Sequence, residues 1–224
     1  MKSTADAVII GGGIMGASIA YHLSEKGYTN VVLLERKHLA AEGTGHSGAL
    51  VRQHYSQDPV IKMAVRSVQI FEEFEERTGR SGVFNQTGWI KIGSADMRPE
   101  MERLIARHRT LGVKADMLTV EELEKLIPGI NPDGIDAALL EHGGGYADPV
   151  ATTEGLADVA ISRGIEIVEG VSATGIDVRG GEVTSVATAD GGIATGIVVN
   201  AAGPWSPEIA RWVGIDLPVK VTRE

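Results

Sequence analysis

The stretch AVIIGGGIMGASIAYHLSEKG, residues 7–27, constrains the chain most. It sets Gly11, Gly13 and Gly16 at the spacing G-x-G-x-x-G between a short apolar run and a helical pattern. Ala7-Val8-Ile9-Ile10 reads as a strand, and Ile14, Ala17 and Tyr21 recur at helical spacing, so the order is strand, tight turn, helix. A bound pyrophosphate accounts for all three glycines: Gly11 permits the sharp turn, Gly13 lets the anion approach the backbone, and Gly16 lets helix and strand pack closely. The helix N-terminus then offers the anion free N–H groups and the positive end of its dipole. A glycine turn that serves packing alone would carry the same letters, and the next segment separates the two cases. Residues 30–36, NVVLLER, form a second apolar strand that ends in Glu35, 22 positions past Gly13. A carboxylate there accepts hydrogen bonds from the adenosine ribose hydroxyls. Arg36 could welcome a 2′-phosphate, but Glu35 would repel one, so FAD or NAD fits better than NADP.

Length and composition bound the rest. A chain of 224 residues holds one full domain plus part of another. With 43% hydrophobic and 23% charged residues it has the composition of an ordinary soluble globular protein. No apolar stretch approaches the roughly 18 to 20 residues of a membrane span. The Met-Lys-Ser-Thr-Ala-Asp start is too polar for a secretory signal, which makes the cytoplasm the expected compartment. The absence of cysteine excludes disulfides, thiolate metal sites and cysteinyl attachment of a cofactor. The net charge is −9 and no basic cluster follows a phosphate backbone, so nucleic acid is not an expected partner.

The pattern along the chain predicts a Rossmann-like α/β nucleotide-binding layer with an antiparallel meander, interrupted by part of an α+β domain. The expected divisions are 1–82 and 146–214 for the nucleotide-binding parts, 83–145 for the inserted part, and 215–224 for the start of a crossing strand. A helix buries Ile61, Ala64, Val65, Val68, Phe71 and Phe74 and exposes a run of glutamates, Glu72, Glu73, Glu75 and Glu76. A strand is predicted over 88–94, with helices near 98–111 and 119–127, the second opened by a Thr119/Glu122 capping box. A helix near 149–163 has Asp148 as N-cap, Pro149 in its first turn and Gly164 beyond its end, and leads into the strand IEIV. Runs near 171–178, 182–189 and 193–199, separated by glycine turns, predict the meander. Residues 197–206, IVVNAAGPWS, add another buried strand and a tight turn before a short helix that Gly214 ends.

Six segments, VIIGGGIMGASIAYHLSEKG, VVLLER, GTGHSGALVRQHYS, TGWIKIG, GGYADP and VVNAAGPWS, together resemble the FAD-dependent D-amino acid oxidase and sarcosine oxidase family. The likeness is closest to its sarcosine oxidase β-subunit-like and glycine oxidase-like members. It implies FAD, and oxidation of the carbon–nitrogen bond of an amino or N-methyl amino acid by hydride transfer to flavin N5. It further implies that Gly11, Gly13 and Gly16 hold the pyrophosphate, Glu35 the ribose, and that Arg36 borders the adenosine. Gly45, Ser47 and Gly48 would approach the pyrophosphate and ribityl chain, Val171 would meet the adenine through its backbone, and Ala201, Ala202 and Gly203 would form a second cofactor turn with Trp205 nearby. Arg52, flanked by His46, His54 and Tyr55, would pair with a substrate carboxylate, a role suited to a planar bidentate donor. His46 is a second candidate at the catalytic site, while His22, His108 and His142 are expected to be structural.

Two departures accompany the likeness. Ala147 stands where covalently flavinylated β-subunits have histidine, and family members run on for well over a hundred residues past the point where this chain stops. The resemblance therefore implies a partial chain or a subunit completed by a partner, or one prone to self-association. A dinucleotide-binding module without turnover and an NAD-dependent dehydrogenase stay open as alternatives at this level.

Overall fold

A computed structural model describes residues 1–222. Its first elements are β1 (Ala7–Ile10), α1 (Ile14–Glu25), β2 (Val31–Glu35), β3 (Leu50–Val51), α2 (Asp58–Glu72), α3 (Phe74–Thr78), β4 (Phe84–Asn85) and β5 (Trp89–Gly93). There follow α4 (Arg98–Thr110), β6 (Ala115–Leu118), α5 (Val120–Leu126), β7 (Ala137–Glu141) and β8 (Gly145–Ala147). The last group is α6 (Pro149–Ser162), β9 (Glu166–Glu169), β10 (Ala173–Arg179), β11 (Glu182–Thr188), β12 (Gly191–Ala194), β13 (Val198–Asn200) and α7 (Ser206–Arg211). Among the described residues no helix is long and apolar enough to cross a membrane.

The chain divides into two compact units, one made of residues 1–47 and the segment from Asp148 onward, the other of residues 48–147. In the first unit a parallel sheet runs in the order β13-β1-β2-β9. Its strands are apolar at consecutive positions because both faces are covered. Val8, Ile10, Val32 and Leu34 face Val186 and Ile193 of the meander and Ile209 of α7. Ala7, Ile9, Val31 and Leu33 face Ala20 of α1 and Ala160 of α6. This is the predicted Rossmann-like layer. The chain leaves β1 for β2 on one side and returns to its other side as β13, so the turn after β1 opens into the crevice where the connections diverge. Helix α6 starts as predicted, with the Asp148 carboxylate accepting from the N–H groups of Val150 and Ala151 at 2.9 Å.

The meander differs from its predicted limits. Gly191 and Gly192 pair with Thr188 and Ala187 as part of the third strand, which ends at Ala194. Thr195 then turns the chain, its hydroxyl bonded to Ile197, and Val198–Asn200 joins β1 in the parallel sheet. The crossing strand expected at 215–224 is not formed over 215–222, and residues 223 and 224 lie outside the described residues.

The second unit holds two antiparallel sheets, β5-β7-β6 and β3-β8-β4. It begins at residue 48, not near 83, for two physical reasons. Leu50 and Val51 pair with Tyr146 and Gly145. Ile61 of α2 is buried against Ile105, Val113 and Leu139. The predicted strand at 88–94 is β5, and the predicted helices are α4 and α5. The capping box forms: the Thr119 hydroxyl accepts from Glu122 N–H at 3.2 Å, and the Glu122 carboxylate accepts from Thr119 N–H at 2.8 Å.

Candidate functional site

A cleft of about 610 Å³ opens at the C-terminal end of β1, lined by Gly11–Met15, Glu35, Arg36, Glu42–Thr44, Val171–Ala173 and Asn200–Ser206. The glycines at its floor separate by what a side chain would meet. Gly11 has φ +115°, and a Cβ there would stand 2.5 Å from the Ala201 carbonyl oxygen. A Cβ at Gly16 would overlap the Gly11 carbonyl oxygen, and one at Gly12 would lie 2.7 Å from Glu35 Cβ. The protein's own packing therefore demands Gly11, Gly12 and Gly16. Gly13 is different: its φ is −79°, and a Cβ would meet only the Thr44 side chain, at 3.0 Å. Its bareness keeps the space in front of α1 open. No side chain at Gly13 caps the helix, and the Thr44 hydroxyl accepts from Ile14 N–H at 3.1 Å.

Glu35 is held by the turn it faces. One carboxylate oxygen accepts from Gly12 N–H at 2.7 Å and the other from Lys37 N–H at 2.8 Å. A carboxylate has about four acceptor sites, so two stay available to hydroxyl donors. Beside it the Arg36 guanidinium lies 4.0 Å from the centre of the Trp205 ring, and its Nη2 is 3.4 Å from Glu42. Lys37 also pairs with Glu42, and its hydrogen bond, with the nearby Arg36 charge, holds the Glu42 carboxyl below its ordinary range. Val171 donates its N–H to the Glu35 carbonyl at 3.0 Å, so the Val171 carbonyl is its remaining backbone group. Ala201 donates to the Ile10 carbonyl at 2.9 Å, and Ala202 to the Asn200 side chain at 3.3 Å. Gly203, at φ +52°, begins the 3-10 turn that carries Trp205.

The 40–48 segment is arranged differently from its sequence reading. Gly43 and Thr44 line the cleft, whereas Gly45 and Ser47 bond inside their own turn. A Cβ at Gly45 would overlap the Ala40 carbonyl oxygen, and the Ser47 hydroxyl donates to the Thr44 carbonyl at 2.8 Å. Gly48 has open space around it and belongs to the second unit. His46 is exposed, with its N–H bonded to the Glu42 carbonyl. Thr44, as the partner of a helix N-terminal N–H, is a residue that sequence spacing alone could not single out.

The second unit gathers another polar cluster. The Arg52 guanidinium lies 5.5 Å from the ring centres of both Tyr55 and Trp89, and its charge acts on the Glu141 carboxyl without a salt bridge being formed. Beneath it the buried Glu141 accepts from Gln53 N–H through one oxygen and has no partner for the other. Burial pushes the Glu141 carboxyl up to about 7. His108 is fully buried and donates through Nε2 to the Tyr55 carbonyl at 2.9 Å. His54 packs 4.8 Å from Trp89 and 5.2 Å from His108, and burial, with the charges of Lys91, His108 and Arg52, pushes it down to about 4. His22 and His142 sit on the surface, paired with Glu25 and Asp116. No group of three metal-ligating side chains occurs among the described residues.

Known proteins are similar to this chain over nearly its whole length. Sarcosine dehydrogenase, mitochondrial, of Mus musculus is 33% identical over 98% of this chain and 25% of its own length. Dimethylglycine dehydrogenase, mitochondrial, of Rattus norvegicus is 32% identical over 97% of this chain and 26% of its own. Among solved structures, L-proline dehydrogenase from P. horikoshii superposes with a TM-score of 0.92 at 29% identity, covering 98% of this chain and 58% of that one. The chain thus spans about a quarter of the length of these curated relatives. A family profile described as FAD dependent oxidoreductase matches residues 6–224, and with the glycine cleft and its strand-tip glutamate this places the chain in the D-amino acid oxidase family of FAD-dependent oxidoreductases.

Proposed function

We propose that the chain binds FAD in the first-unit cleft and serves the oxidation of a carbon–nitrogen bond in an amino or N-methyl amino acid. The observation that carries the first part is Gly13, the glycine of the motif whose missing side chain meets no backbone and leaves the helix N-terminus open. The residues present fit a dinucleotide. The α1 N-terminus faces the cleft with its dipole and offers N–H groups to a pyrophosphate. Glu35, fixed from behind by two backbone N–H groups, has acceptor sites left for ribose hydroxyls. The Val171 carbonyl lines the cleft for the amino group of an adenine. Bound FAD supplies a two-electron acceptor for amine oxidation.

Sarcosine dehydrogenase, dimethylglycine dehydrogenase and L-proline dehydrogenase are named for secondary or tertiary amino acids, which supports that substrate class here. Arg52 is the residue suited to the substrate carboxylate: it is exposed, near two aromatic rings, and its charge reaches the Glu141 carboxyl without a salt bridge that would occupy its fork. Likeness to sarcosine oxidase subunit beta of Rhizobium meliloti (strain 1021), 29% identical over 96% of this chain and 53% of that one, supports assembly with further subunits.

FAD titration followed by flavin fluorescence tests the cofactor site. Gly13→Val is expected to lower affinity about a hundredfold or more by filling the space before α1, and Glu35→Ala by about tenfold. Full affinity in Gly13→Val would overturn the assignment. Turnover of sarcosine, dimethylglycine, glycine, proline and D-amino acids, followed by peroxide formation and by dye reduction, tests the substrate class. A preference for substrates lacking an amino acid carboxylate would refute it.

A further inference from the structure

A cation–π contact joins two sides of the cleft. Arg36 follows β2 and Trp205 follows β13, and these are the two strands that flank β1. Their cation–π contact, 4.0 Å from guanidinium carbon to ring centre, therefore bridges the crevice into which the Gly11–Gly13 turn opens. Both partners are braced. Arg36 is tied to Glu42, which Lys37 also holds. Trp205 sits in a 3-10 turn closed by its own N–H on the Ala202 carbonyl at 3.0 Å, with the Asn200 amide bonded to the Ser206 carbonyl at 2.9 Å. Yet neither partner is locked by packing, since Trp205 is only partly buried and the Arg36 side chain is 39% exposed. A braced but exposed contact across a binding crevice is one that can open and re-form.

We propose that Arg36 and Trp205 form a clasp over the cleft that parts to admit the dinucleotide and closes again beside it, so that it sets the rate of FAD exchange more than its affinity. The inference rests on the FAD assignment of the cleft. A contact made in both the empty and the loaded states, and broken only during passage, slows entry and exit alike and leaves their ratio nearly unchanged. A planar guanidinium on an indole at an exposed site corresponds to about three- to fivefold in rate.

Stopped-flow mixing with FAD, and release measured by recovery of flavin fluorescence after dilution, give both rates. In Trp205→Leu, which keeps apolar bulk but has no π face, association and dissociation are each expected to rise about three- to fivefold, with Kd within about twofold of the parent. Arg36→Lys, which keeps the charge and loses the planar stack, is expected to raise both rates by a smaller factor. Unchanged rates, or a rise in dissociation alone with a matching rise in Kd, would overturn the clasp; the second result would make Trp205 an ordinary cofactor contact. Should Trp205→Leu fail to fold by circular dichroism, Trp205→Phe decides, with a smaller rise in both rates expected and no rise refuting. Gly13→Val run in parallel separates the two ideas: retained FAD binding in that variant sinks the cleft assignment, whereas lost binding there with unchanged rates in Trp205→Leu sinks the clasp alone.

Discussion

In the first unit the groups facing the cleft are backbone, or side chains held by backbone: a bare Gly13, a helix N-terminus, and a Glu35 gripped by Gly12 and Lys37 N–H groups. In the second unit the noteworthy groups are side chains placed by tertiary burial: Glu141, His54 and His108 around the segment that carries Arg52. The two build sites at different costs. Glycines cost conformational entropy and tolerate no added atoms, whereas buried polar side chains cost desolvation and respond to protons. The first kind of site fails when atoms are added to its bare backbone. The second responds to the protonation of its buried groups.

The sharpest break in that contrast is Gly16→Ala. Its Cβ would overlap the Gly11 carbonyl oxygen, a backbone atom that can move only by opening the turn. A loss of about 3 kcal/mol or more is expected in urea unfolding. A loss under about 1 kcal/mol would show that the turn adapts. Next is Glu141→Ala, which empties a fully buried site and leaves the Gln53 N–H without its acceptor. About 2 kcal/mol is expected at neutral pH, from the cavity and the orphaned donor together. A neutral result would mean that the buried acid costs as much as it contributes.

The pH dependence sharpens the comparison further, because two shifts in the second unit oppose each other. Glu141 is raised to about 7, so between its ordinary carboxyl range and 7 the folded chain holds a proton that the unfolded chain has released. Stability from this group falls as pH rises through that window. His54 is lowered to about 4, so between 4 and its ordinary value the unfolded chain holds the extra proton. Stability from this group rises with pH there. Thermal melting across pH 4 to 7 is therefore expected to steepen upward in Glu141→Gln and downward in His54→Gln relative to the parent. Parallel curves for all three proteins would remove both groups as titrating elements. The smallest stability effect belongs to Arg52→Lys, expected within about 0.5 kcal/mol because the side chain is exposed. In the active enzyme the same change is expected to raise the apparent KM several-fold with FAD content unchanged, since lysine keeps the charge but loses the fork. Equal KM values would take Arg52 out of substrate binding.

Legibility in the sequence follows the same division. The strand–turn–helix of residues 7–27, the strand ending in Glu35, the Asp148 cap and the Thr119/Glu122 box are each written within a few neighbouring residues, and each forms as read. The two-residue strands β3 and β4 are too short for any periodicity to show, and their pairing with β8 is what draws residues 48–82 into the second unit. Gly45 carries the mark of a cofactor-facing glycine but is needed by the Ala40 carbonyl, while Thr44 carries no mark and lies on the cleft.

By itself, then, the sequence determined the local devices: the glycine turn and its helix, the acid at the second strand tip, the caps and the apolar strands. These depend on backbone dihedrals and hydrogen bonds between near neighbours, which residue type controls directly. Only the tertiary structure decided which of four neighbouring glycines keeps the cleft open, that Arg36 reaches Trp205 across β1, and that Glu141 is buried against Gln53, 88 positions away. Those outcomes depend on which distant surfaces come together, and a side chain's burial, partner and proton affinity are properties of that meeting and not of the residue.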